Sequence, residues 1–141
     1  MLSSGLVLAG ANASGSDDAI DDGVLTAEEI ATLDLRRTGW AVLSACDTGR
    51  GRVQDGEGVL GLRRAFEVAG VRTVITSLWK LDDRTAQEWM SELYRLRLDD
   101  GTSTIESVRR ASRAMLAARR RAGLDTHPFH WGAFVAAGDW R

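Results

Sequence analysis

Two short runs, Trp40-Ala41-Val42-Leu43-Ser44-Ala45 and Arg72 to Leu78, with a helix-spaced stretch between them, constrain this chain more than any other feature. The first run is continuously apolar or small, the pattern of a strand covered on both faces. The second reads as another buried strand. Between them Leu60, Leu62, Ala65, Phe66 and Ala69 recur at helical spacing, and Gly70 supplies a left-handed stop. Strands alternating with helices predict an α/β fold, a mostly parallel sheet with helices on its faces. In such sheets chemistry gathers at the carboxyl ends of the strands. Cys46, the only cysteine, follows the first run at once.

The remaining segments fit around this unit. Gly5 to Ala9 reads as a short strand-like entry, and Ala11 to Gly23 is small, polar and acidic, which predicts a flexible loop at about 11–23. Thr26-Ala27-Glu28-Glu29 has the spacing of a capping box opening a short helix that ends near Leu33. Asp47 to Gly58 holds Gly49, Gly51, Gly56 and Gly58 and reads as loop. A longer helix is expected from Asp82 or Asp83 to about Leu98, with one of those aspartates as its N-cap. Ser103-Thr104-Ile105-Glu106 has the spacing of a second capping box, opening a helix that ends near Gly123. Trp131 to Ala137 reads as a closing strand.

At 141 residues the length fits one domain, and 44% hydrophobic residues suffice for a core. A net charge of −2 removes the electrostatic motive for nucleic-acid binding. No stretch has the uninterrupted apolar length of a membrane span, and Met1 is not followed by a signal-peptide pattern. A lone cysteine cannot staple the fold, and no Cys/His cluster has zinc spacing, so no metal or other cofactor is expected. These features favour a reducing, cytoplasmic setting.

Leu43-Ser44-Ala45-Cys46-Asp47-Thr48-Gly49, followed by Asp55-Gly56-Glu57-Gly58-Val59-Leu60-Gly61-Leu62, resembles the CHAT family of caspase-like cysteine peptidases. The likeness continues through Val74 to Asp83 and ends with His127-Pro128-Phe129-His130-Trp131-Gly132-Ala133-Phe134; upstream, Ser4 to Ala9 and Leu25 to Ile30 also fit. It therefore runs over nearly the whole chain, with several motifs in order. The resemblance implies that Cys46 is a nucleophile hydrolysing peptide bonds with a histidine at the end of the preceding strand. It also implies a substrate-pairing edge at Ser77, Leu78 and Trp79. The family's His-Gly pair occurs nowhere in the sequence. The expectation is accordingly a single partial domain over 1–141, inactive alone, whose partners are a peptide substrate and an upstream histidine-bearing segment. An incomplete sheet would also expose an edge to self-association.

Each of these residues has a plainer reading. Cysteine is commonly buried as a small hydrophobe. Asp47 lines a specificity pocket or closes an Asx turn. Trp79 walls a side-chain pocket or packs beneath the next helix. Glu57 braces the active-site loop or begins a helix. His127 and His130, beside Pro128 and Trp131, look structural rather than like bases for Cys46. The arginines Arg109, Arg110, Arg113, Arg119, Arg120 and Arg121 read as a solvated helix face.

Two other functions remain. Without its histidine the chain could serve as a non-catalytic scaffold or regulatory module. Cys46 and Arg52 also have the Cys-x5-Arg spacing of a phosphatase loop. Against that stand Ala45 where such loops carry histidine, the delayed helix after Asp55, and the negative charge of Asp47 where a dianion must enter.

Overall fold

The structure, a computed structural model, describes residues 4–9, 11, 23–44 and 57–139, without the side chains of 57–59. Strand β1 (Gly5–Val7) pairs antiparallel with β2 (Val24–Thr26), Gly5 facing Thr26. Thr26 does double duty. It ends β2 and caps α1 (Ala27–Thr32), its hydroxyl accepting from the Glu29 N–H while the Glu29 carboxylate accepts from the Thr26 N–H at 2.8 Å. The expected capping box is formed in full, and Leu33 is the C-cap, as the spacing predicts.

The main sheet has the order β3-β4-β5. Strand β3 (Trp40–Leu43) lies parallel to β4 (Thr73–Ser77), with Trp40 opposite Thr73 and Leu43 opposite Thr76. Helix α2 (Glu57–Val68) makes the crossover and starts at Glu57, the helix-start reading of that residue. The α/β class stands, and the pairing is more mixed than a mostly parallel sheet: β5 (Phe134–Gly138) runs antiparallel to β4, Ser77 facing Phe134. An apolar run does not encode its own direction. Here a long return sets it.

That return is helical. Helix α3 (Asp83–Tyr94) is capped by Asp82, whose carboxylate accepts from the Thr85 N–H at 3.0 Å. It loosens into a π turn, Arg95–Asp99, which Asp100 closes by donating its N–H to Arg95 O. Helix α4 (Thr104–Arg121) follows. Its capping box does not form: Ser103 makes no side-chain cap bond, and both Glu106 oxygens accept instead from Arg109 at 2.6 and 2.7 Å. A bidentate guanidinium outcompetes one exposed backbone N–H for the carboxylate.

Apolar residues divide between the sheet's two faces. Ile75, Trp89, Leu93, Leu96, Val108, Ala111, Met115, Ala133 and Phe134 form one cluster with α3 and α4, and Trp40 and Val42 pack against it. Trp89 stacks on Phe134 with centroids 4.0 Å apart. The second cluster, Ala27, Ile30, Leu62 and Ala65, is built by α1 and α2, and Leu43 packs against it. Alternate residues of β3 thus feed opposite cores, as the two-residue strand period requires.

The amino ends of β3 and β4 are locked together. Leu35 N–H donates to Ala69 O at 2.8 Å and Arg72 N–H to Thr38 O at 3.3 Å. Gly70, at φ +103°, lies so close to Arg36 that an added Cβ would sit 2.5 Å from Arg36 Cγ. Both the dihedral and the space demand glycine at that turn.

Candidate functional site

Strands β3 and β4 are parallel, so their carboxyl ends share one end of the sheet, and β5, being antiparallel, begins there. Ser44, the first residue past β3, is exposed. Cys46 and Asp47 lie outside the described residues, as do Arg52 and the 12–22 part of the expected acidic loop. The site is therefore built from what surrounds the β3 exit.

Ser77 ends β4 almost fully buried, opposite Phe134. Leu78 continues the pairing by donating its N–H to Ala133 O at 2.8 Å, while its side chain is 55% exposed. Trp79 is half-buried and packs against the α3–α4 core. Its indole N–H donates to Phe129 O at 2.9 Å, and its ring stacks on the Phe129 ring at 5.9 Å and 14°. One residue thus serves as core packing and as a clasp on a distant turn.

That turn runs from Asp125 into a 3-10 segment, Pro128–His130. Asp125 accepts from the His127 N–H at 2.9 Å, and its other oxygen lies 3.4 Å from His130 Nε2. His127 Nδ1 accepts from the Phe129 N–H at 3.2 Å. Trp131 donates its indole N–H to Thr126 O at 3.0 Å. Phe129 meets His130 edge-on at 5.5 Å. The Asp125 carboxyl is held below its ordinary range, chiefly by the His127 N–H and further by the two nearby imidazoles. Asp82 is lowered as well, mainly by its bonds from Thr85, with a smaller pull from His130.

His127 and His130 are thus engaged within their own turn, which Trp79 clasps just past β4. Among the described residues no three His, Cys, Asp or Glu side chains are grouped so that they could hold a metal ion. No helix among them is long and apolar enough to cross a membrane.

Sequence reasoning placed Ser77, Leu78 and Trp79 together, and the structure sets them at the carboxyl end of β4. It did not pair Trp79 with Phe129 or Asp125 with His130. The signal present was the aromatic, histidine-rich stretch from His127 to Trp131, which names a turn but not the ring it packs on.

A family model described as the CHAT domain matches residues 1–139. No curated protein and no solved structure gives a significant match.

Proposed function

The chain belongs to the CHAT domain family, and on that premise we propose that it carries the nucleophile of a caspase-like cysteine endopeptidase. The observation that carries this reading is the parallel β3–β4 pair. It brings the strand leading into Cys46 beside the strand that ends at Ser77 and is followed by Leu78 and Trp79.

In this reading the Cys46 thiolate attacks the scissile carbonyl carbon, and the carbonyl electron pair moves onto oxygen. The backbone N–H of Cys46 is one natural donor to that oxyanion. As the tetrahedral intermediate collapses, the C–N bond breaks and an imidazolium hands its proton to the departing amine. Water, activated by the neutral imidazole, then hydrolyses the thioester and releases free thiol. A thiol with an ordinary pKa of about 8.5 is mostly protonated at neutral pH, so Cys46 needs that imidazole nearby. His127 and His130 are committed to the 125–131 turn. The sequence holds no His-Gly pair, so the base comes from another, histidine-bearing segment, and the substrate is an extended peptide lying along Ser77 to Trp79. Asp47, next to the nucleophile, would line the groove. A free thiolate nucleophile fits a reducing cytoplasm.

The test joins the chain to a strand ending in His-Gly and follows cleavage of a peptide library. Cleavage should appear, Cys46→Ala should lower it at least ~10³-fold, and the unjoined chain should be silent. Undiminished cleavage by the Cys46→Ala variant would overturn the assignment, and robust cleavage by the unjoined chain would return His127 or His130 to candidacy. A joined chain that binds peptide without cutting it would favour the scaffold reading.

A further inference from the structure

The chain has three phenylalanines. Phe134 is buried, Phe66 is half-buried, and Phe129 is 46% exposed. An exposed ring on a surface turn ordinarily moves among rotamers. Phe129 is held from several directions. Its N–H is bonded to His127 Nδ1, its carbonyl accepts from the Trp79 indole, its ring stacks on Trp79, and its edge meets His130. The histidine contacts are themselves braced by Asp125, which accepts from the His127 N–H and faces His130 Nε2. Arg119 fixes the root of the turn by donating from Nε to Asp125 O. A rigid, partly exposed aromatic ring contributes apolar contact at low entropic cost on binding, the property shared by anchor side chains in recognition sites.

Its location gives the ring a use. The turn leads into β5, whose first residue faces Ser77, and Trp79, two residues past β4, holds Phe129, so the ring stands at the carboxyl end of β4, the end of the sheet at which the parallel β3 also finishes. We propose that Phe129, braced on Trp79 by the Asp125–His130 turn, is a specificity-determining side chain of the peptide groove and selects substrates that present an apolar side chain to it. The proposal rests on the peptidase reading and names its substrate class. Asp125 is a positioning residue in it: it meets no substrate and acts through the histidines on the angle of the Phe129 ring. A carboxylate or ammonium set against this ring would lose hydration with no hydrogen-bonding group of the ring to replace it.

The test uses the full 141-residue chain and fluorescein-labelled, capped hexapeptides identical except for one central residue, Leu, Phe, Asp or Lys, scanned through the four inner positions. Binding is read by anisotropy. At one position the Leu and Phe peptides should bind at least about 10-fold tighter than the Asp and Lys peptides. Phe129→Ala should erase that ratio. Asp125→Ala should reduce the ratio, and Asp125→Asn, which keeps an acceptor for the His127 N–H, should restore most of it. A purely structural Asp125 would change the melting temperature and not the ratio. An unchanged ratio in a folded Phe129→Ala variant, or no selective binding by the wild type, overturns the proposal. The two readings fail separately. Apolar selectivity without Cys46-dependent cleavage leaves Phe129 standing and removes the peptidase, whereas Cys46-dependent cleavage indifferent to Phe129 does the reverse.

Discussion

Strands β3 and β4 lie side by side, and the more polar of the two is the more deeply buried. β4 reads Thr-Val-Ile-Thr-Ser, with three hydroxyl side chains, and all five residues are buried. β3 reads Trp-Ala-Val-Leu, wholly apolar, and all four residues are only half-buried. The difference lies in the neighbours. β4 is flanked by β3 and β5, whereas β3 has a strand on one side only among the described residues. Tyr94, the last residue of α3 and 43% exposed, packs beside Trp40 with centroids 5.2 Å apart. Burial is thus a property of position in the sheet. β3 has more apolar character than its described surroundings use.

The largest test of this contrast is a pair of truncations. Ile75→Ala in β4 removes a fully buried side chain and should cost about 2–5 kcal/mol in urea unfolding. Val42→Ala in β3 should cost at most about 1.5 kcal/mol, because its side chain is only partly withdrawn from water. Equal losses would mean that β3 is covered as well as β4 is. Next in size is a change in association. Through the β3 edge, which has no strand on its outer side among the described residues, the chain should gain mass with concentration in sedimentation, and Ala41→Lys, a charge set in the middle of β3, should shift it toward monomer. A wild-type chain that stays monomeric at high concentration would show the edge to be satisfied.

The smallest effect lies just past β4. Asp82→Ala should cost about 1 kcal/mol at pH 6, by loss of the cap on α3. The folded carboxyl titrates lower than usual because Thr85 bonds its charged form. Its contribution is therefore complete above the unfolded group's value of about 3.9 and disappears as pH falls through the lower folded value. The gap between wild type and variant should narrow in acid. A gap constant from pH 6 to pH 2 would show that the carboxylate's charge plays no part in the cap.

The contrast also marks what the sequence could reveal. The capping box at Thr26 was legible and formed, with no arginine bonded to Glu29 among the described residues, while the same spacing at Ser103 failed because Arg109 takes Glu106. Buried strands and helix stripes were legible because periodicity is local. β2 was not, since three residues carry no periodicity and become a strand only by pairing with β1. At the site, the order of Ser77, Leu78 and Trp79 at a strand end could be read directly. The Trp79–Phe129 clasp joins residues 50 positions apart through a backbone carbonyl that every residue possesses, so no side-chain pattern announces it. Cys46 itself stands outside the described residues, and its role rests on the family and the proposal above.

The junction at Gly70 and Arg36 has an evolutionary consequence. It fixes the relative offset of two neighbouring strands at the end opposite their carboxyl ends. A lineage can lengthen, shorten or rewrite the segments beyond Ser44 and Ser77 without letting the strands slide past one another. Innovation is confined to one pole of the sheet, and inheritance is kept at the other.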